Sequence, residues 1–271
     1  MALVLARVTF TEATRQRYFN FLLLIAVAFL GSSLFLQQFN FGSSELKFIY
    51  DLGTGTLLFF GTILAILLTT QMVFSEFDNR TALTVLARPV SRTTFLLGKF
   101  VGIWGLLGCF VGILILLLLS ILQIRFFFLS QEDPALLERA VDLRTGELLV
   151  FGFIQWLRLG VISSLALFFS TFASSALFAM VISFFGVIIS QLQYIALESL
   201  SADQSFFYRA FVYLISVLFP NFQLFNLGDV LVFPLDEPME VGSVLRIIGY
   251  ASVYLLLYQI LSVFLFREKE I

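Results

Sequence analysis

Six stretches of this sequence are apolar for roughly 20 residues each, and that repetition limits the fold more than any other feature. A helix needs about 20 apolar residues to cross about 30 Å of hydrocarbon. The runs 19–36, 52–74, 95–122, 148–172, 176–197 and 244–266 meet that need. They predict an all-α membrane protein with about six transmembrane helices in one membrane domain spanning residues 1–271. The stretch Phe206–Phe219 is also apolar, but about 14 residues rise only about 21 Å as a helix. It then meets Pro220-Asn221. A short external re-entrant or interfacial segment over 206–233 is the expectation there.

Composition narrows the function. Sixty per cent of the residues are apolar and 13% are charged, about half the charged share of a soluble domain. The net charge of −2 gives no basic surface for nucleic acid. Histidine is absent, which removes His-ligated metals, His general bases and Ser-His-Asp triads together. The single cysteine, Cys109, permits no internal disulfide. An aspartyl intramembrane protease needs two acids inside spans, and no such pair is seen. The chain therefore reads as non-catalytic, with no catalytic residue, cofactor or metal site of its own.

Lysines and arginines near the span ends set the orientation. One side carries Arg7, Arg15, Arg17, Arg80, Arg88, Arg92, Lys99, Arg267 and Lys269, nine cations against five acids. The other side carries six cations against thirteen acids. The first side is expected to be cytoplasmic, with both termini inside. If Phe206–Phe219 also spanned, Asp229, Asp236, Glu237 and Glu240 would become cytoplasmic, so six spans fit better than seven.

Residues 1–18 are predicted to form an interfacial elbow helix. Leu3, Ala6, Phe10 and Ala13 share one helical face, and Arg7, Thr11, Thr14, Arg15 and Tyr18 a polar one. A disordered basic tail is the plain alternative. A cleaved leader fits poorly, since the apolar run continues past Ala26-Val27-Ala28 to Leu36.

The loop between the second and third spans is longer than a connection requires. Asp78 or Asn79 can cap a short helix over about Arg80–Ala87, and Pro89 stops it. The result is a helical knuckle with Arg80, Leu83 and Leu86 available to a partner. The pattern Glu76…Arg80-Thr81…Leu86-Ala87-Arg88-Pro89-Val90-Ser91-Arg92…Leu97-Gly98-Lys99-Phe100 resembles this loop in type 2 ABC transporter permeases. Elbow helix, six spans and an external re-entrant segment extend the resemblance along the whole chain.

The resemblance implies that the loop is a coupling helix seated on a separate soluble ABC ATPase, with Glu76, Asn79, Arg80, Thr81, Leu83, Leu86, Arg88, Pro89 and Arg92 as its contact residues. ATP is then bound by that partner. No G-x-x-x-x-G-K-[ST] loop occurs here, and Gly98-Lys99 is followed by Phe100 at the start of a span. The resemblance further implies a second permease chain, homodimeric or heterodimeric, and a multi-pass place in the plasma membrane (the inner membrane of a bacterium). Export is the expected direction.

Two features inside spans stand out. Gly98, Gly102, Gly105, Gly108 and Gly112 fall within about 120° of one helical face, which lets backbones approach closely. Ordinary intrachain packing explains them better than a sliding or dimer-forming surface. Arg158 lies in the fourth span, where a charge costs about 2.5–3.5 kcal/mol on insertion scales. It is a candidate for lining the pathway, or for pairing with an acid on a neighbouring helix. A secondary transporter would show paired ionisable groups and repeat-related broken helices, which this sequence lacks. A membrane assembly factor on the same scaffold is the other alternative.

Overall fold

The computed structural model describes residues 2–36, 45–78, 92–132, 145–200, 205–226 and 241–268. Every regular element among them is helical: α1 (Ala2–Thr14), α2 (Arg17–Leu36), α3 (Glu45–Asp78), α4 (Arg92–Glu132), α5 (Thr145–Phe172), α6 (Ala176–Glu198), α7 (Phe206–Leu218), a 3-10 turn (Phe222–Phe225) and α8 (Val241–Glu268). Helices α2 to α6 and α8 are long and apolar enough to cross a membrane, so the all-helical, six-span expectation holds. Residues 227–233 of the predicted re-entrant segment lie outside the described residues.

Two spans outrun their apolar runs. α3 begins at Glu45 rather than near residue 52. Glu45, Lys47 and Asp51 break the hydropathy, yet Leu46, Ile49, Tyr50 and Gly53 recur at helical spacing and turn one face inward. Ile49 and Tyr50 are fully buried, and the Tyr50 ring lies 6.3 Å from that of Phe151 on α5. α4 holds 41 residues, about 61 Å at 1.5 Å per residue. It therefore takes in Gln131 and Glu132, which lie well beyond the apolar run that ends at Leu122.

Helix ends follow local chemistry. The turn Ala173-Ser174-Ser175 joins α5 to α6, and the Ser175 hydroxyl accepts the Phe178 N–H at 3.3 Å. Ser205 caps α7 in the same way through Tyr208 N–H, at 3.4 Å. α7 stops because Phe219, ahead of Pro220, is extended at φ −106 and ψ 137.

α5 is the central helix. It packs against α3, α4, α6 and α8, and every residue from Leu157 to Leu167 is buried. A helix buried all round has no lipid face to dictate an amphipathic pattern. Hydroxyls enter the bundle by bonding the carbonyl one turn back, as in Thr70 to Ile66 at 2.8 Å and Ser190 to Gly186 at 2.8 Å. This satisfies these hydroxyls where no water is present, although Ser33, Thr69 and Ser163 are buried without a partner.

α1 seats on α4 through Ala6, Thr9 and Ala13, all buried, with Phe10 half-buried beside them. Leu3 is 81% exposed, as are much of Val4 and Val8. The inward face is thus set by small residues that fit against Gly102. Ala6, Phe10 and Ala13 of the stripe read from the sequence lie on that face, joined by Thr9, whereas Leu3 turns outward.

Candidate functional site

Three constellations arise where the helices meet. At one end of the bundle, the last turns of α3 lie beside the first turns of α4. Val73 and Phe74 from α3, with Phe95, Leu96 and Phe100 from α4, form a buried cluster. It also takes in Leu167 and Ala173, Ala179 of α6 and Phe266 of α8. Lys99 is only 3% exposed there. Its Nζ donates to the Met72 carbonyl and lies 5.2 Å from the Phe95 ring centroid. From the sequence Lys99 is one more inner-side charge; in the fold it joins the two helices that flank residues 79–91.

Of the predicted coupling residues, Glu76 falls in the last turn of α3 and Arg92 opens α4. Asn79, Arg80, Thr81, Leu83, Leu86, Arg88 and Pro89 lie outside the described residues. The knuckle itself is therefore not part of the observed geometry. Its two supports are.

The second constellation is the crossing of α4 and α5. The Trp104 and Trp156 rings stack at 4.5 Å with 15° between planes. Each indole N–H donates to the other's backbone: Trp104 Nε1 to the Trp156 carbonyl at 3.2 Å, and Trp156 Nε1 to the Trp104 carbonyl at 2.9 Å. Each ring also covers a glycine one turn beyond its partner. A Cβ on Gly160 would stand 2.5 Å from Trp104 Nε1, and one on Gly108 would stand 2.9 Å from Trp156 Nε1. The exchange is reciprocal, so the two helices cross about a local two-fold.

The glycine stripe of α4 is thereby divided. Gly102 meets the Ala6 carbonyl oxygen and Thr9, where a Cβ would come within 2.6 Å and 2.8 Å. Gly105 faces Phe10, and Gly108 faces Trp156. Gly98 is buried. Gly112 has open space and borders an apolar groove of about 440 Å³, which Ile115, Gly152 and Phe153 also line. Among the described residues, no polar side chain but the Trp156 indole borders that groove, so little there orients a ligand.

The third constellation surrounds Arg158, midway along the 28-residue α5. Its Nη2 donates to Gln191 Oε1 of α6 at 3.1 Å, and its guanidinium carbon lies 5.2 Å from the Phe222 ring centroid. Nε is buried without an acceptor. Gln155, one turn earlier on α5, donates to the Phe225 carbonyl at 2.9 Å, and its own Oε1 is unpartnered. Gln191 Nε2 reaches Gln223 Oε1 at 3.4 Å. The 3-10 turn thus lies over α5 and α6 at the level of Arg158.

Magnitudes put this arginine near break-even. A charge at a span centre costs about 2.5–3.5 kcal/mol on insertion scales. A desolvated cation–π contact returns about 2 kcal/mol, and a hydrogen bond to a charged group about 1.5–3 kcal/mol. Pairing with an acid, the alternative raised from the sequence, does not occur among the described residues.

Tyrosines of α8 hold the same segment from the other side. Tyr250 Oη accepts the Asn221 N–H at 2.6 Å, Tyr254 Oη donates to the Val217 carbonyl at 3.1 Å, and Tyr258 Oη donates to the Leu218 carbonyl at 2.8 Å. Spaced by four, they form one column with ring centroids 4.9 and 6.1 Å apart. They satisfy the carbonyls that the end of α7 leaves open. Nothing in the sequence flagged these tyrosines, although an i, i+4, i+8 Tyr column was there to be noticed.

A family model described as ABC-2 family transporter protein matches residues 13–190, from the end of α1 to within α6. No curated protein matches the chain. The matched part includes both supports of the 79–91 segment, the tryptophan crossing and Arg158, and covers more than half of the sequence. The chain is a membrane protein of the ABC-2 transporter family.

Proposed function

We propose that the chain is the membrane-spanning permease subunit of an ATP-driven exporter, moved by a separate ATPase through residues 76–92. The observation that carries this reading is the joining of α3 to α4 by Lys99 and the aromatic cluster beneath it. Two helices fixed to each other at their ends transmit a push as one body, and that body reaches α5, α6 and α8 through the same cluster. Membership of the ABC-2 family supports association with an ABC ATPase.

In this reading the contact residues are Glu76, Asn79, Arg80, Thr81, Leu83, Leu86, Arg88, Pro89 and Arg92, and ATP stays on the partner. The basic side of the chain, with both termini, faces the cytoplasm. α1 rests at the cytoplasmic membrane surface, and two permease chains work with two ATPase chains. Arg158 lines the pathway, while α7 and the 3-10 turn close it towards the outside.

The test is biochemical. Purification in mild detergent should bring down a soluble Walker-type ATPase with the chain. In that complex, Arg80→Glu or Leu83→Asp should lower transport per ATP hydrolysed by roughly tenfold or more, with membrane insertion unchanged. Normal transport by a well-inserted Leu83→Asp chain, or purification without any ATPase, would sink the reading.

A further inference from the structure

Among the described residues, two charged side chains are buried in the bundle, and they differ in how they are used. Lys99 bonds a carbonyl and joins two helices. Buried hydroxyls such as Ser170 and Ser262 bond the preceding turn. Arg158 is different: it is 7% exposed, charged, and makes one side-chain hydrogen bond, to a neutral amide. No carboxylate reaches it among the described residues. Its Nε points at no acceptor.

We propose that Arg158 is the centre of a binding site for the anionic group of an amphipathic molecule, a phosphate or carboxylate carried on an apolar body. This rests on the reading of the chain as a transport permease and adds the chemical class of the molecule bound. A guanidinium presents a planar fork of donors that matches those two oxyanions in bidentate fashion. In the observed arrangement the Phe222 ring lies over the fork instead. That ring interacts through its face, without supplying the negative charge or the paired acceptors the fork is shaped for.

The cover is separable from the site. Phe222 belongs to a four-residue 3-10 turn rather than to a span. That turn is held by the burial of Phe222 and Phe225 and by single hydrogen bonds: Gln155 Nε2 to the Phe225 carbonyl, Asn221 N–H to Tyr250 Oη and Gln191 Nε2 to Gln223 Oε1. Gln191 contacts both Arg158 and the turn, so an anion that takes the guanidinium also loosens the hold on Gln223. The walls suit an apolar body, since Phe222 and Phe225 are fully buried and Tyr250 packs on Phe225.

An arginine kept for stability and one kept for a ligand respond oppositely to replacement. Removing a buried charge whose contacts only offset its burial cost leaves a fold about as stable, whereas breaking a matched pair weakens it. The experiment uses the permease–ATPase complex in phosphatidylcholine nanodiscs, with thermal unfolding as the readout. Dioleoyl phosphatidylglycerol should raise the wild-type midpoint by about 5 °C near a hundredfold excess over Kd. Inorganic phosphate at the same concentration should not, because it lacks the apolar body.

Arg158→Gln should abolish the phosphatidylglycerol shift while its own midpoint in phosphatidylcholine stays at or above the wild-type value. Arg158→Lys, which keeps the charge but loses the fork, should retain a reduced shift. An equal lipid shift in wild type and Arg158→Gln, or none in wild type, overturns the site. So does an Arg158→Gln chain that unfolds much earlier without lipid while Arg158→Lys does not respond. An equal shift from inorganic phosphate overturns the amphipathic requirement. Recovery of the ATPase with the chain is read separately, so loss of this site and loss of the permease reading are distinguishable.

Discussion

Gly160 and Gly112 show how differently two glycines in one membrane bundle are constrained. A Cβ at position 160 would stand 2.5 Å from the Trp104 indole nitrogen, held by its own bond to the Trp156 carbonyl. At position 112 a Cβ meets nothing within 4 Å. Gly160→Ala is therefore expected to destabilise by about 1–3 kcal/mol through overpacking. Gly112→Ala should be neutral or slightly stabilising, as alanine is the better helix former by about 1 kcal/mol. Thermal unfolding in detergent, followed by tryptophan fluorescence, compares the two directly, and equal effects would contradict the tryptophan crossing. Gly102→Ala belongs with Gly160→Ala, since its Cβ would meet backbone of α1.

α7 has little apolar burial of its own: Val212 is its one buried residue, while Phe206, Phe207, Phe211 and Leu214 are exposed. Its place is set instead by the tyrosine column of α8 and the bonds into the 3-10 turn. Tyr258→Phe removes the donor to the Leu218 carbonyl and is expected to cost about 0.5–1.5 kcal/mol. The double change Tyr254→Phe, Tyr258→Phe should raise amide exchange across 206–225 well beyond its effect on α5. Hydrogen exchange in micelles reads that difference, and uniform loosening of the bundle would count against a local hold.

The α3–α4 pair is held in the opposite way, by Lys99 set among aromatic side chains. Lys99→Ala should lower stability by about 1–3 kcal/mol and weaken the transfer of ATPase motion to the spans. ATP hydrolysis and transport, measured together on the complex, should then separate.

For the assembled bundle, orientation is the property most open to direct test. Cys109 is the single cysteine, so a Cys109→Ser chain is a clean background for labelling. Ala87→Cys should react with a membrane-impermeant maleimide only from the cytoplasmic side, and Ser201→Cys only from outside. Reversed labelling would move the basic segment out of reach of the proposed ATPase.

Much of this architecture is legible along the chain because lipid imposes a local condition. Wherever about 20 apolar residues run together, dehydrating the backbone forces a helix there whatever its neighbours are. The six spans and the stop of α7 before Pro220 follow from that condition and from short-range sterics. The 76–92 pattern is equally local, a contiguous string of residues between two spans. Extensions such as Glu45–Asp51 escape a hydropathy sum because their signal is one amphipathic face, not a total.

What the linear order could not disclose is which helical faces meet. The indole exchange joins residues 52 positions apart, and Gln155 reaches a carbonyl 70 positions away. Arg158 is conspicuous in any reading, but its missing acid and its cover by Phe222 exist only once α5, α6 and the turn are packed together. Lys99 likewise passes from one positive charge among nine to a buried joint between two spans. In a membrane the solvent chooses the helices, whereas complementary shapes and unfilled hydrogen bonds choose their neighbours, and those depend on contacts between distant parts of the chain.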